Sequence, residues 1–313
     1  MANMSARFQR RRRIPGLSRG AGAAAFAIVL VGGMTTATRG QDKGVGATAA
    51  TENPPRVASR SNSVPKIPKI VGAQSADSAA SAEEPVTRAK RMIGECKVKM
   101  DAVQDYTCTF HKRERISGRL TSPHVMAFKS RTAPTSFYFK FQRPKTGREA
   151  IYVAGRNGGK VLAHDVGLGK FLAGTLRLDP LGGMAMEDNR HPINEAGLAN
   201  LIDSVHRHWN AELTPEESIL HFHPSMQVGP RVCTMIESIH SQKQPQFLFH
   251  MVRLYIDKEQ GLPIRMEAYD WPKTAGAAPE LVEEYTYLDL KLNVGLTDAD
   301  FDPSNMAYAF GRF

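Results

Sequence analysis

Apolar positions recur with two periods along this chain, and the switch between them divides its body into elements. From Pro85 the residues Ala89, Met92, Ile93, Cys96, Met100 and Val103 follow at three- and four-residue steps with Lys and Arg between them, which predicts an amphipathic helix carrying proline in its first turn. The pattern then alternates. Residues 106–116, 123–131, 135–143, 149–154 and 160–165 read as consecutive strands, most clearly where Phe137, Phe139 and Phe141 alternate with Tyr138, Lys140 and Gln142. Ser117-Gly118 and Asn157-Gly158 are hairpin turn signals, so these strands are expected to run as an antiparallel meander.

After Pro180, Gly182 and Gly183 a second helical pattern spans 193–209, with Leu198, Leu201, Ile202, Val205 and Trp209 on one face. Thr214-Pro215-Glu216-Glu217 has the spacing of a capping box, or of a turn before a strand at 218–223. Strand patterns return at 231–240, 248–257, 263–270 and 281–291; Lys258-Glu259-Gln260-Gly261 makes a tight turn, and Thr297 with Asp300 caps a last helical turn. About nine to ten antiparallel strands and two helices predict an α+β domain on one long curved sheet. By the two-residue period Phe137, Phe139 and Phe141 share a face, as do Val252, Leu254 and Ile256, while Met92, Ile93, Cys96 and Met100 of the first helix are placed to cover them. That interior is either a ligand cavity or a filled core.

The amino-terminal third changes the picture. Arg7, Arg10 to Arg13 and Arg19 precede an apolar run of fourteen residues, Ala21 to Met34, and Thr38-Arg39-Gly40 offers a cleavage site before Gln41. This is the layout of a signal peptide for periplasmic or other export, and the run is shorter than the roughly 20 residues a spanning helix needs, so no permanent membrane span is expected. Residues 41–83 are rich in Ala, Ser and Pro and read as a disordered linker, which leaves 84–313 as one domain.

The formal charge of +10 is concentrated outside that domain, since residues 1–83 carry 12 Lys/Arg against 4 Asp/Glu and the remainder 29 against 27. Within the body, residues 88–145 are basic, 14 against 4, but the charges are spread over a helix and several strands without a recognisable module, so nucleic acid is not expected as a partner. Cys96, Cys108 and Cys233 show no C-x-x-C spacing; an exported chain permits one bridge among them, and three buried thiols are the simpler expectation.

Candidate chemistry is sparse. His206-x-His208 and His221-x-His223 flank one segment, and on a strand His221 and His223 would point to one face as a metal site requires, yet no carboxylate motif accompanies them. Cys108 and His111 would fall on opposite faces of one strand. Asp257, Glu259 and Glu267 could pair for acid/base work but read more simply as solvent-side charges. Asn157-Gly158-Gly159-Lys160 lacks the spacing of a phosphate loop. No catalytic residue, cofactor or metal is assigned.

Two stretches carry a family resemblance. Residues 254–265, Leu-Tyr-Ile-Asp-Lys-Glu-Gln-Gly-Leu-Pro-Ile-Arg, and residues 285–296, Tyr-Thr-Tyr-Leu-Asp-Leu-Lys-Leu-Asn-Val-Gly-Leu, running on to Asp300-Phe301, resemble the strand–turn–strand and closing strand of the LolA/LolB lipoprotein-carrier superfamily and of the related RseB amino-terminal domain. The body is similar to a branch of exported bacterial proteins of the DUF1571 type. The resemblance implies a LolA-like half-barrel with helices across its open side and a cavity for a lipid, a lipoprotein acyl chain or another apolar ligand, without catalysis. A sixteen-carbon chain gains about 12 kcal/mol on leaving water, whether for a membrane or for such a cavity. No ligand-contacting residue transfers by motif, and the Gly- and Met-rich insert over 168–189 departs from the family pattern. Two other readings stay open: an envelope sensor or scaffold that binds a protein partner, and an envelope hydrolase or metal-dependent enzyme using the His206–His223 region.

Overall fold

Glu84 opens the first helix. Its carboxylate accepts hydrogen bonds from the backbone N–H groups of Val86 and Thr87, both at 2.8 Å, and Pro85 takes the first helical position, where a missing N–H costs nothing. Helix α1 (Pro85–Asp101) buries Val86, Ala89, Ile93, Cys96 and Met100, the stripe its spacing predicts. The computed structural model describes residues 83–166 and 174–310. The leader expected over 1–40, and the linker expected over 41–83 except Glu83, lie outside the described residues.

The strands are β1 (Asp105–Ile116), β2 (Arg119–Leu120), β3 (His124–Arg131), β4 (Ser136–Arg143), β5 (Glu149–Val153), β6 (Val161–His164) and β7 (Leu176–Leu178), followed by helices α2 (Gly183–Met186) and α3 (Leu198–Glu212). Then come β8 (Ile219–Val228), β9 (Arg231–Ile239), β10 (Met251–Asp257), β11 (Pro263–Asp270) and β12 (Glu280–Leu292). They form one sheet in the order β7-β6-β5-β4-β3-β1-β12-β11-β10-β9-β8, with β2 paired to β1 alone. Two antiparallel meanders therefore meet at the β1–β12 seam, and β7 and β8 are the edges among the described residues. The domain is an α+β half-barrel, open as expected.

Its described residues form twelve strands and three α-helices where nine to ten and two were expected, for local reasons. Strands β2 and β7 and helix α2 are too short to show a period. The helix expected over 193–209 is split, because Gly197 adopts φ 92° and ψ 168° between a 3-10 turn at Ile193–Glu195 and α3. Thr214 to Glu217 form a turn, with the Ser218 N–H donating to the Thr214 carbonyl at 3.0 Å. Strand β8 runs past the expected 218–223 through a bulge between His223 and Met226, where Pro224 cannot donate to a ladder.

The main core lies between the concave face of the sheet and helices α1 and α3. A second cluster sits on the convex side, where the carboxy-terminal segment lays Leu296, Phe301, Tyr308 and Phe310 over Tyr138, Ile151, Val153 and Leu162. Two buried carboxylates hold that segment. Asp105 accepts from the N–H groups of Val294, Gly295 and Leu296, and Glu149 accepts from Ala309 N at 2.8 Å. Thr297 and Asp300 form the expected reciprocal cap.

Gly197 also positions α3. A Cβ there would meet the Tyr106 hydroxyl oxygen at 2.9 Å, and that hydroxyl accepts the Leu198 N–H at 2.8 Å. The backbone region is one that glycine alone occupies readily. Gly197→Ala is expected to cost about 1–3 kcal/mol in urea denaturation, and an unchanged midpoint would show that the helix start relaxes freely.

Candidate functional site: a cavity between the sheet and α3

Inward-facing residues of β1 are Tyr106, Cys108, Phe110, Lys112 and Glu114, so an apolar row turns charged without leaving its face. Across the seam Phe110 is opposite Tyr287, Lys112 opposite Tyr285 and Glu114 opposite Glu283. Two carboxylates in register repel, and four neighbours relieve them. Lys112 Nζ lies 3.0 Å from Glu114, the Tyr285 hydroxyl donates to Glu114 at 2.5 Å, and the Arg190 N–H donates to it at 2.9 Å. Arg190 Nε and His191 Nε2 reach Glu283 at 3.1 and 3.0 Å. Lys112 also donates to the Asp188 carbonyl at 3.2 Å and to the Asn189 side-chain oxygen. The segment 188–191 is thus pinned to the sheet by a buried ionic cluster.

The cluster sets its own protonation. Burial works to raise the Glu114 carboxyl, but Lys112, the Tyr285 hydroxyl and the Arg190 N–H hold it below its ordinary value. Burial and then the charge of Lys112 push His124 down to about 4, so it is neutral at physiological pH. For His191 burial works downward, and the Glu283 hydrogen bond outweighs it, leaving the imidazole above 6.5. A raised folded value means that the His191 contribution to stability is complete below pH 6.5 and is lost as pH rises through the folded value. His124 acts oppositely, its contribution being complete above 6.5 and falling away toward 4. Stability measured from pH 6 to 8.5 is expected to decline less steeply in His191→Gln, which retains a hydrogen-bond donor toward Glu283; parallel profiles would exclude His191 as the titrating group.

Beside the cluster lies a cavity of about 640 Å³. Phe110, Met126, Phe139, Phe141 and Tyr287 line its floor, and its cover is the segment from Met184 to Ala196 with α3. Phe139 stacks on Phe128 at 4.4 Å between centroids, which joins the floor to the packed core. The mouth exposes Met184 (68%) and Leu248 (50%).

Of the residues expected to line a cavity, Phe139, Phe141 and Val252 do so. Phe137, Leu254, Ile256, Met92, Ile93 and Met100 lie instead in the packed core or against it. Helix α1 packs against α3 and β8, so the part of the chain over the cavity is 184–212. It includes 184–189 of the insert; 168–173 lie outside the described residues. His208 lines the cavity and meets Glu212 at 2.6 Å, while His206 is not in the lining, and His221 and His223 lie on edge strand β8. Among the described residues no three His, Cys, Asp or Glu are placed to hold a metal ion. The three cysteines are free and buried, and burial raises Cys96 and Cys233 to about 12.

Asp257 and Glu267 are not the solvent-side charges their hairpin suggested. Asp257 is buried against Arg231 at 2.5 Å, and Glu267 is buried against Arg265 at 2.6 Å, because long arginine side chains roof the convex face. The ionic cluster at the cavity was missed from sequence. Its signal was there: Lys112 and Glu114 continue the alternation of Tyr106, Cys108 and Phe110, as Glu283 continues that of Tyr287 and Tyr285.

No described helix is long and apolar enough to cross a membrane. Solved structures similar to this chain include the Mycobacterium tuberculosis lipoprotein LppX, at 9% identity and TM-score 0.40 over 69% of this chain and 98% of that one. A LolA superfamily protein from Nitrosomonas europaea gives 12% and 0.27 over 68% and 97%. MucB, in its Pseudomonas aeruginosa complex with MucA, gives 13% and 0.38 over 69% and 60%. No curated protein matches the sequence. Residues 103–310 match the family described as protein of unknown function (DUF1571), a span that takes in the seam, the cluster and the cavity, and the chain belongs to that family.

Proposed function

We propose that this domain binds a lipid, an acyl chain or another apolar ligand in the cavity between the sheet and α3, outside the cytoplasm and without catalysing a reaction. The observation that carries the reading is the cavity itself. Its volume of about 640 Å³ falls in the range of small-molecule sites, and its floor of Phe110, Met126, Phe139, Phe141 and Tyr287 is aromatic and aliphatic, with the charged lining residues gathered at the cluster and the cover. An acyl chain entering such a space leaves water at about 0.8 kcal/mol per methylene. A hydrolase reading has the His208–Glu212 pair, but no serine, threonine or cysteine is hydrogen-bonded to that imidazole among the described residues.

The test is extraction of the exported protein under native conditions followed by lipid mass spectrometry, with Nile red binding to the delipidated domain beside it. Wild type is expected to carry a stoichiometric apolar ligand and to bind the dye. Ala150→Trp, which places an indole in the cavity from β5, is expected to lose at least about tenfold in dye affinity, or 1.4 kcal/mol. A folded wild type that carries no ligand and binds no dye would favour the scaffold reading instead.

A further inference from the structure

Building on the cavity as an apolar-ligand site, we propose that it admits an amphiphile tail first and selects against anionic polar ends, so that its ligand has an uncharged or cationic head. The charges in the lining are sorted by depth and by partner. Six of the nine lining carboxylates have a Lys or Arg partner, as Glu114 has Lys112 and Glu149 has Lys140. The three without one are Glu187, Glu195 and Glu212; Glu195 approaches only His191, at 4.0 Å, and Glu212 only His208. Among the lining Lys and Arg side chains only Arg207 has no carboxylate partner among the described residues. Glu187, Glu195 and Arg207 are exposed, so most of the uncompensated charge is at the mouth, and acid exceeds base there.

Among the described residues no Lys or Arg of the interior lining lacks a carboxylate partner. Lys112 spends its donors on Glu114, Asp188 and Asn189. What the interior does offer includes His164 Nδ1, buried without a hydrogen-bond partner among the described residues, and the Ser238 hydroxyl, which lines the cavity, is 3% exposed and has no partner among them. A neutral hydroxyl suits a carbonyl or hydroxyl on the ligand, whereas an anion brought to that depth would give up its hydration without compensation. A charged head must therefore stay at the mouth, where a cleft edged by carboxylates favours cations and repels anions.

Three twelve-carbon probes separate the possibilities: dodecyltrimethylammonium, dodecyl maltoside and dodecanoate, each below its micelle concentration and competing with Nile red at pH 8. In about 10 mM salt, where screening extends over roughly 30 Å, the first two are expected to bind at least about fivefold more tightly than dodecanoate. The gap should narrow in about 1 M salt. Glu187→Gln/Glu195→Gln, which alters only exposed side chains, should bring dodecyltrimethylammonium and dodecanoate together. Equal or tighter binding of dodecanoate to wild type, or a gap unchanged in the double variant, would overturn the selectivity and leave the cavity reading standing. Failure of all three probes and of the dye would instead remove the cavity reading itself.

Discussion

Replacing Glu114 by Ala is expected to destabilise the domain by about 3–5 kcal/mol, because it strands the Lys112 ammonium in a site with almost no access to water. For a domain of this size that is a fall of roughly 6–20 °C in Tm. The loss comes from the charge left behind and not from the value of the pair. Adding Lys112→Met to Glu114→Ala should accordingly return part of it, although the Tyr285 hydroxyl and the Arg190 N–H, which both donate to Glu114, stay without their acceptor. Acid should mimic the substitution. The Glu114 carboxyl is held below 4.5, so its contribution is complete above that value and disappears as pH falls through the folded one. A Glu114→Ala protein melting within about 2 °C of wild type would mean that water reaches the cluster.

Ending the chain at Asn293 is expected to be as damaging, although it removes no strand. Phe301 and Phe310 would be lost from the convex side, at about 1.5–3 kcal/mol each as an upper figure. Tyr138, Ile151, Val153 and Leu162 would lose their cover, and Glu149 would lose the Ala309 N–H that it accepts. The shortened protein should melt at least about 6 °C lower, or fail to remain in solution. Phe301→Ala alone should cost about 3–5 kcal/mol. A shortened chain with wild-type stability would show that the segment rests on the sheet without supporting it.

The partners that produce these two effects were not legible in the sequence, although the alternation that turns Lys112 and Glu114 inward was. Strict alternation at 137–142 and the three-and-four spacing from Ala89 to Met100 reveal β4 and α1, since the apolar set of each meets the core, although Tyr138 on the other face of β4 is buried as well. Pairing of β1 with β12 was not legible. It joins the first and last strands of the domain, and no local period encodes which distant strand completes a ladder. The cavity was half legible for a related reason. Periodicity tells which residues face inward, and Phe137, Phe139 and Phe141 all do, but where a helix lies above them decides which meet empty space and which meet packing. Here one glycine, Gly197, sets the start of that helix.

The edges β7 and β8 have a mechanical consequence. In a closed barrel strand number and shear together dictate the radius, and a wider guest can enter only by breaking ladder hydrogen bonds. This sheet has no closure condition. Its concave face can open or tighten by small changes in coil distributed over ten strand junctions, each keeping its bonds, so guests of different girth need not be matched by any change in register. If the proposed cavity takes ligands of different size, amides along the β1–β12 seam should then exchange at the same slow rate with each, because no single junction carries the adjustment.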